Sequence, residues 1–195
     1  HTKNTKFTLN LNNKIYKFNI PSLIGNHQIE NASLAISASY EIKKMGYKIN
    51  KNIINRALIN TKWAGRLEKS YLQNLPVYID GTHNVGGAEK LADFLSFEKK
   101  NTWLIIGMLK NKDLILFLKT LKKYISGVIA IRIPGEKNSF TTQDIFNVCN
   151  KLKIICVKKN NIKSAQNYLI KQITTERIVI TGSLYLIGKI RRLFI

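Results

Sequence analysis

Three short segments carry side chains whose types and spacing suit nucleotide chemistry. Asp80 closes an apolar run, and Gly81-Thr82-His83-Asn84 then leads into a helical pattern. A carboxylate there can accept hydrogen bonds from a ribose. The helix start behind it offers unpaired N–H groups and the positive end of a dipole to phosphate. The same residues also read as an Asp or Asn cap on that helix. Gly65-Arg66-Leu67-Glu68 follows Trp63. The planar fork of Arg66 could clamp a phosphate, and the competing reading is an Arg66–Glu68 pair on a surface linker. Gly25-Asn26-His27-Gln28-Ile29-Glu30-Asn31 opens a long helical pattern. His27, Gln28 and Asn31 could meet an adenine edge, or Asn26 could simply cap the helix.

Other chemistries find less support. A phosphate-cradling loop needs two glycines with four residues between them, followed by Lys and then Ser or Thr. The nearest match is Gly182-Ser-Leu-Tyr-Leu-Ile-Gly188-Lys189-Ile190. It has a residue too many between its glycines, its insert is bulky, and Ile190 has no hydroxyl for magnesium. The segment reads as a helix start instead. The three histidines lie far apart in sequence and carboxylates are few, so no metal cluster is expected. Ser183 has no evident His partner for a hydrolytic triad. Cys149 and Cys156 read as buried structural thiols, in keeping with a reducing cytoplasm.

The elements that must position these residues follow from periodicity. Phe7–Leu11 and Ile15–Ile20 alternate in polarity around Asn12-Asn13, which predicts a hairpin. A helix is expected over Gln28–Met45, with Ile29, Ala32, Leu34, Ala35, Ala38 and Ile42 as its apolar stripe. A second runs over Lys51–Asn60, with Asn50 as N-cap and Ile53, Ile54, Ala57 and Leu58 facing inward. Beyond Thr61 strands alternate with helices. Strands are expected at Leu67–Leu72, Val77–Asp80, Trp103–Gly107, Val128–Ile133, Ile154–Val157 and Arg177–Thr181. Helices are expected near Gly87–Phe97, Asp113–Tyr124, Thr142–Leu152, Ile162–Gln172 and Leu184–Phe194. That order predicts an α/β fold with a mostly parallel, Rossmann-like sheet flanked by helices. The first two strands, joined through Pro76, would form an antiparallel pair at one edge. Ligands of such sheets gather at the carboxyl ends of the strands, where the 80–84, 107–109, 134–135 and 181–183 segments fall.

The boundary between the two patterns lies at Thr61–Trp63. Residues 1–61 are too few to make a stable domain alone, and 62–195 form one α/β domain. Opening on His1, the chain is expected to be part of a longer polypeptide. No apolar stretch approaches the roughly 20 residues of a membrane span. The net charge of +21 invites a nucleic-acid reading, but only 6 of the 32 basic residues are Arg, and the lysines are scattered. Lys, Asn and Ile, all with A/T-rich codons, make up about 39% of the chain, which accounts for the charge without a specific nucleic-acid partner.

Taken in order, five segments resemble the folylpolyglutamate synthase/dihydrofolate synthase family of the Mur-ligase superfamily. They are Leu23-Ile-Gly-Asn-His-Gln-Ile-Glu-Asn-Ala32, Trp63-Ala-Gly-Arg-Leu-Glu68, Asp80-Gly-Thr-His-Asn84, Gly107-Met-Leu-Lys-Asn-Lys-Asp113 and Thr181-Gly-Ser-Leu-Tyr-Leu186. Their order and spacing agree across nearly the whole chain. Ala64 stands where Pro is common, Thr82 where a small Ala is usual, and Asn111 where Asp is frequent; the last weakens any argument from that loop.

The resemblance implies an ATP-dependent ligase that joins L-glutamate to folate or dihydropteroate through an acyl phosphate. It places Asn31 near the ATP base, Arg66 near its phosphates and Asp80 near its ribose. It puts His83 toward the phosphates and Ser183 along the cleft. It also implies that residues 1–61 are the tail of an N-terminal ATPase domain. The rest of that domain, with the phosphate loop, the Mg2+ ligands and most of the folate surface, would lie outside this sequence. The chain would then be inactive by itself. A cytoplasmic monomer with no membrane partner is expected. Two other readings stand beside this one: a nucleotide-binding or basic α/β module without chemistry, and a fragment of a Mur-type peptide ligase.

Overall fold

A computed structural model describes residues 5–194. By its internal contacts the chain divides into two units, His1–Ala64 and Gly65–Ile195.

In the first unit, β1 (Lys6–Leu11) and β2 (Lys14–Asn19) pair antiparallel. Asn12 and Asn13 turn the chain between them with φ of 51° and 62°. Two successive left-handed residues make the turn whose twist matches a hairpin, and Asn tolerates that backbone. Helix α1 (His27–Lys44) and helix α2 (Lys51–Asn60) follow. The core consists of Phe18 from the hairpin, Ala32 and Ile36 from α1, and Ile54 and Leu58 from α2.

The buried face of α1 differs from the expected stripe. Gln28, Ala32 and Ile36 are buried, whereas Leu34 is 71% exposed and Ile42 42% exposed. The helix carries small or apolar residues on two faces, and the aromatic surface of the hairpin (Phe18, with Tyr16 stacked on it and tilted against Tyr40) selects the 28/32/36/40 row. In α2, likewise, Ile54 and Leu58 face inward while Ile53 and Ala57 are exposed. Asn50 caps α2 through a bond from Ile53 N. Asn26, at the corresponding place on α1, makes no side-chain cap.

The second unit is a six-stranded sheet in the order β3-β4-β8-β5-β6-β7. The strands are β3 (Glu68–Leu72), β4 (Leu75–Ile79), β5 (Thr102–Ile106), β6 (Gly127–Ala130), β7 (Cys156–Lys158) and β8 (Arg177–Thr181). All neighbours are parallel except β3 and β4, whose antiparallel hairpin forms one edge. That hairpin turns at Gln73-Asn74, with Gln73 at φ 53°; Pro76 lies inside β4 and not in the turn. The helices are α3 (Val85–Ser96), α4 (Leu114–Leu121), α5 (Thr142–Lys151), α6 (Ile162–Ile170) and α7 (Leu184–Ile190). Every residue of β5 is buried. Trp103 and Ile105 join one core with Ile162, Leu169, Leu186 and Ile187 from α6 and α7. Leu104 and Ile106, on the opposite face, are also fully buried. A strand buried on both sides must be apolar throughout, which is why these strands stand out in the sequence.

The last strand lies between β4 and β5. The chain steps over the β8 position on its way from β4 to β5, moves outward to β7, and returns through α6 to fill the gap. Strand order therefore reverses around β8, and the crevice of such a sheet opens at the carboxyl ends of the strands on either side. Those ends carry residues 80–84, 107–112 and 181–185.

Candidate functional site

The three loops are tied together by their backbones. Gly182 N donates to Thr82 O at 2.9 Å, Thr181 Oγ1 donates to the same carbonyl at 3.2 Å, and Gly107 N reaches Thr181 O at 3.4 Å. Gly182 has φ +104°, and a Cβ there would lie 2.8 Å from Gly107 O. Only glycine lets these loops approach so closely. The 107–112 loop is braced from behind by the segment around the fully buried Ser139: Phe140 N donates to Met108 O and Lys110 N to Asn138 O, each at 2.9 Å, while the Ser139 hydroxyl donates to Phe140 O (3.0 Å) and accepts from Ile133 N (3.2 Å).

Asp80 sits at the end of β4, only 5% exposed. Its Oδ1 accepts from Thr82 N and its Oδ2 from Leu67 N, each at 2.9 Å. The first bond shapes the 80–84 turn and the second fastens the loop that carries Arg66. Gly81 N adds a bond to Gly65 O at 2.8 Å. The capping of α3 falls to Asn84, which accepts from Gly87 N at 2.8 Å, so Asp80 is not the cap. Arg66 is half-buried, and a Cβ on Gly81 would lie 3.4 Å from its Nη1. The guanidinium therefore rests against the turn that starts α3. Leu67, expected to begin β3, instead takes a left-handed backbone at φ 47° and is buried, so the strand starts one residue later. The partner seen for Glu68 is Arg191, which holds both carboxylate oxygens at 2.7 and 2.8 Å.

His83 Nδ1 lies 2.9 Å from Gly81 O. A carbonyl only accepts, so Nδ1 carries a proton and Nε2 is left for other duties. His83, Asn111, Lys112, Gly182, Ser183 and Tyr185 line a cleft of about 350 Å³. Ser183 is 3% exposed and its hydroxyl accepts from Tyr185 N at 3.1 Å, which makes it the N-cap of α7. The segment from Gly182 to Lys189 is thus a strand-to-helix junction, as its bulky residues indicated. Asn111 and Lys112 also line the cleft, although Asn111 departs from the family pattern and so drew little attention to that loop. The signal was the position of that loop at the end of β5.

Asn31 lies in the first unit, exposed at the start of the second turn of α1. Its Nδ2 donates to Gln28 Oε1 at 3.1 Å, and Gln28 Nε2 meets His27 Nε2 at 3.0 Å. The three polar residues at the start of α1 are thus connected to one another. In the second unit the structure brings together Arg66, Asp80, His83 and Ser183.

These groups suit anionic ligands. A guanidinium, a Lys, an imidazole and a helix start with Gly86 and Gly87 in its first turn are all compatible with nucleotide phosphates. They do not suit a divalent cation. Among the described residues no three of His, Cys, Asp or Glu stand together in a way that could hold a metal. The two cysteines are free thiols. Contact with Cys156 and burial push the Cys149 thiol well above the usual range.

A family model described as dihydrofolate synthetase, C-terminal domain, matches residues 66–193. The dihydrofolate synthase/folylpolyglutamate synthase of Bacillus subtilis is 29% identical over 201 residues, covering 96% of this chain and 44% of that protein. The folylpolyglutamate synthase of Lacticaseibacillus casei is 28% identical over 174 residues, covering 87% of this chain and 39% of that one. The chain therefore spans less than half the length of these relatives. Among solved structures, Mycobacterium tuberculosis folylpolyglutamate synthase complexed with ADP and AMPPCP is similar at a TM-score of 0.80 and 23% identity, covering 92% of this chain and 42% of that one. Folylpolyglutamate synthase of Thermotoga maritima is similar at a TM-score of 0.73 and 26% identity, over 92% of this chain and 41% of that one.

Proposed function

Because the chain belongs to the dihydrofolate synthetase C-terminal domain family, we propose that it forms one wall of the nucleotide site of an ATP-dependent ligase that adds L-glutamate to a folate or dihydropteroate carboxylate. The observation that carries this reading is the Arg66 loop, fastened by a buried Asp80 beside the α3 start, at the point where strand order reverses. Two relatives that match most of the chain are enzymes of this kind by name. A relative in the fold comparison binds ADP and AMPPCP.

In the proposed reaction the terminal phosphoryl group of ATP passes to the substrate carboxylate and ADP leaves. The glutamate amine then attacks the acyl carbon, loses a proton and expels phosphate. The contribution of this chain is electrostatic. Arg66 offers paired N–H donors and a fixed positive charge to phosphate oxygens as charge shifts between them. His83 Nε2 and Lys112 stand along the same cleft and add donors or charge there. Asp80 holds Arg66 in place, and because each carboxylate oxygen accepts two bonds, that duty is compatible with receiving a ribose hydroxyl. Asn31 would meet the base through its amide. Mg2+ would find its ligands outside these residues. Residues 1–61 would be the tail of an ATPase domain whose phosphate loop lies elsewhere.

The 195-residue chain alone should therefore bind ATP weakly and add no glutamate to a folate. Replacing Arg66 with Ala should weaken ATP binding by about 1.5–3 kcal/mol, the worth of a hydrogen bond to a charged group, and leave adenosine binding nearly unchanged. Calorimetric titration with both ligands tests this. Equal affinities of the variant and the parent chain for ATP would remove Arg66 from the site. Sustained ATP-dependent glutamate addition by the chain alone would refute the half-site.

A further inference from the structure

We propose that Glu68 and Arg191 form a positioning device for Arg66, fixing the loop that presents its guanidinium and tying that loop to the far end of the helix that lines the cleft. The proposal rests on the assignment of Arg66 to nucleotide phosphate.

Arg66 stands between two left-handed residues, Gly65 at φ +68° and Leu67 at φ +47°. Glycine adopts that backbone freely, but Leu67 does so only where its surroundings fix it. Asp80 and the Gly81 amide fix two points, at Leu67 N and Gly65 O. The third point is Gly65 N, which donates to Glu68 Oε2 at 3.1 Å. A glutamate at the start of a strand has several rotamers, and the one seen here reaches back to Gly65. Arg191 selects it with a two-pronged grip, Nε to Oε2 at 2.8 Å and Nη2 to Oε1 at 2.7 Å. The planar fork of Arg matches a carboxylate in a way that a Lys ammonium does not.

Arg191 follows directly on α7, and its backbone N–H bonds Ile187 O. One turn back, Ile187 packs on the loop itself, since a Cβ on Gly65 would lie 3.1 Å from Ile187 Cγ2. At the other end of α7, Ser183 caps the helix on the cleft and Leu184 covers Gly81 beside Arg66. The Arg66 loop is thus gripped at both ends of one short helix. Phe194 O, just beyond, accepts from Ser70 Oγ and anchors the same tail to β3. Glu68 and Arg191 are 123 residues apart, and Arg191 belongs to none of the segments that carry the family resemblance.

The test uses the full 195-residue chain, labelled with 15N, as Arg191→Gln, Arg191→Lys, Arg66→Ala and the Arg66→Ala/Arg191→Gln double variant. In Arg191→Gln, amide hydrogen exchange at Gly65 and Leu67 should quicken by about tenfold or more, while Leu104 and Ile105 in the central strand stay protected. ATP should bind about tenfold more weakly and adenosine within about twofold of the parent, and the ATP loss should vanish when Arg66 is already Ala. Arg191→Lys should fall between the parent and Arg191→Gln. Unchanged exchange at Gly65 and Leu67 would overturn the proposal. So would an ATP loss of the same size with and without Arg66. If exchange responds to Arg191 but ATP binding is indifferent to Arg66, the loop device stands and the phosphate assignment falls.

Discussion

At Leu67 a left-handed backbone costs a residue with a Cβ about 1–2 kcal/mol. The bond from Leu67 N to the Asp80 carboxylate is charge-assisted and contributes about 1.5–3 kcal/mol, enough to offset it. Asp80 therefore does structural work at the place where its sequence context pointed to a ligand contact. Glu68 is tuned in the same direction as other paired carboxylates. The hydrogen bonds from Arg191 first, and the Gly65 amide with them, hold its carboxyl below the ordinary value of 4.5. A depressed folded value means that the stabilisation is complete above the unfolded value and is lost as the pH falls through the folded one. The melting-temperature gap between the parent chain and Glu68→Gln should accordingly be constant from neutral pH down toward 4.5 and close below it. It should also narrow in high salt, because the pair is partly exposed. A gap that widens on acidification would contradict the assigned partner. The Arg66 and Asp80 segments stood out in the sequence by residue type, but each had an ordinary local reading beside it, as a surface pair or a helix cap, and only the fold separates the two. Arg191 was not legible, since no periodicity links it to a residue 123 positions away.

Among the elements, helix starts were read most reliably, because capping is local chemistry. Asn50, Asn84, Asp113, Thr141, Asn161 and Ser183 each accept a bond from an amide of the first turn. Thr141 and Asp144 form a reciprocal capping box, with bonds of 3.1 and 2.8 Å, and the Thr141 bonds lower the Asp144 pKa. Thr141→Ala should destabilise the second unit by about 1 kcal/mol. Urea denaturation followed by Trp103 fluorescence would show it, and an unchanged midpoint would mean that the box contributes nothing. Ends of strands and faces of helices were harder. Ile131 and Ile133 continue the apolar run of β6 and are buried, yet the strand ends at Ala130 because the chain turns toward the brace formed by Ser139. The buried face of α1 depends on Phe18, which lies outside the helix, so the helical pattern alone chose the wrong row.

For the whole molecule, strand–helix alternation announced a parallel sheet, since strands covered on both faces cannot hide their composition. The place of β8 between β4 and β5 could not be read, because strand order is a property of long-range packing. The inequality of the two units was expected from their lengths, and their cores are correspondingly unequal. Among the described residues, the core of the first consists of Phe18, Ala32, Ile36, Ile54 and Leu58, with Phe7, Leu9, Leu11, Tyr16, Tyr40 and Ile49 only partly buried against it. Its helices leave Leu34, Met45, Ile53 and Ile59 between 50% and 75% exposed. A core of that size contributes little beyond the conformational entropy of about 60 residues. The second unit buries a sheet on both faces. Heating should therefore melt residues 1–64 first, with a shallow transition, and residues 65–195 later. Trp103, 8% exposed in the larger core, would report the second step by fluorescence once Trp63 in the first unit is replaced by Phe. Far-ultraviolet circular dichroism would follow both, because α1 and α2 supply a large share of the helix. Coincident curves from the two signals would mean that the chain unfolds as one cooperative block and that the small core is stabilised by more than its own residues.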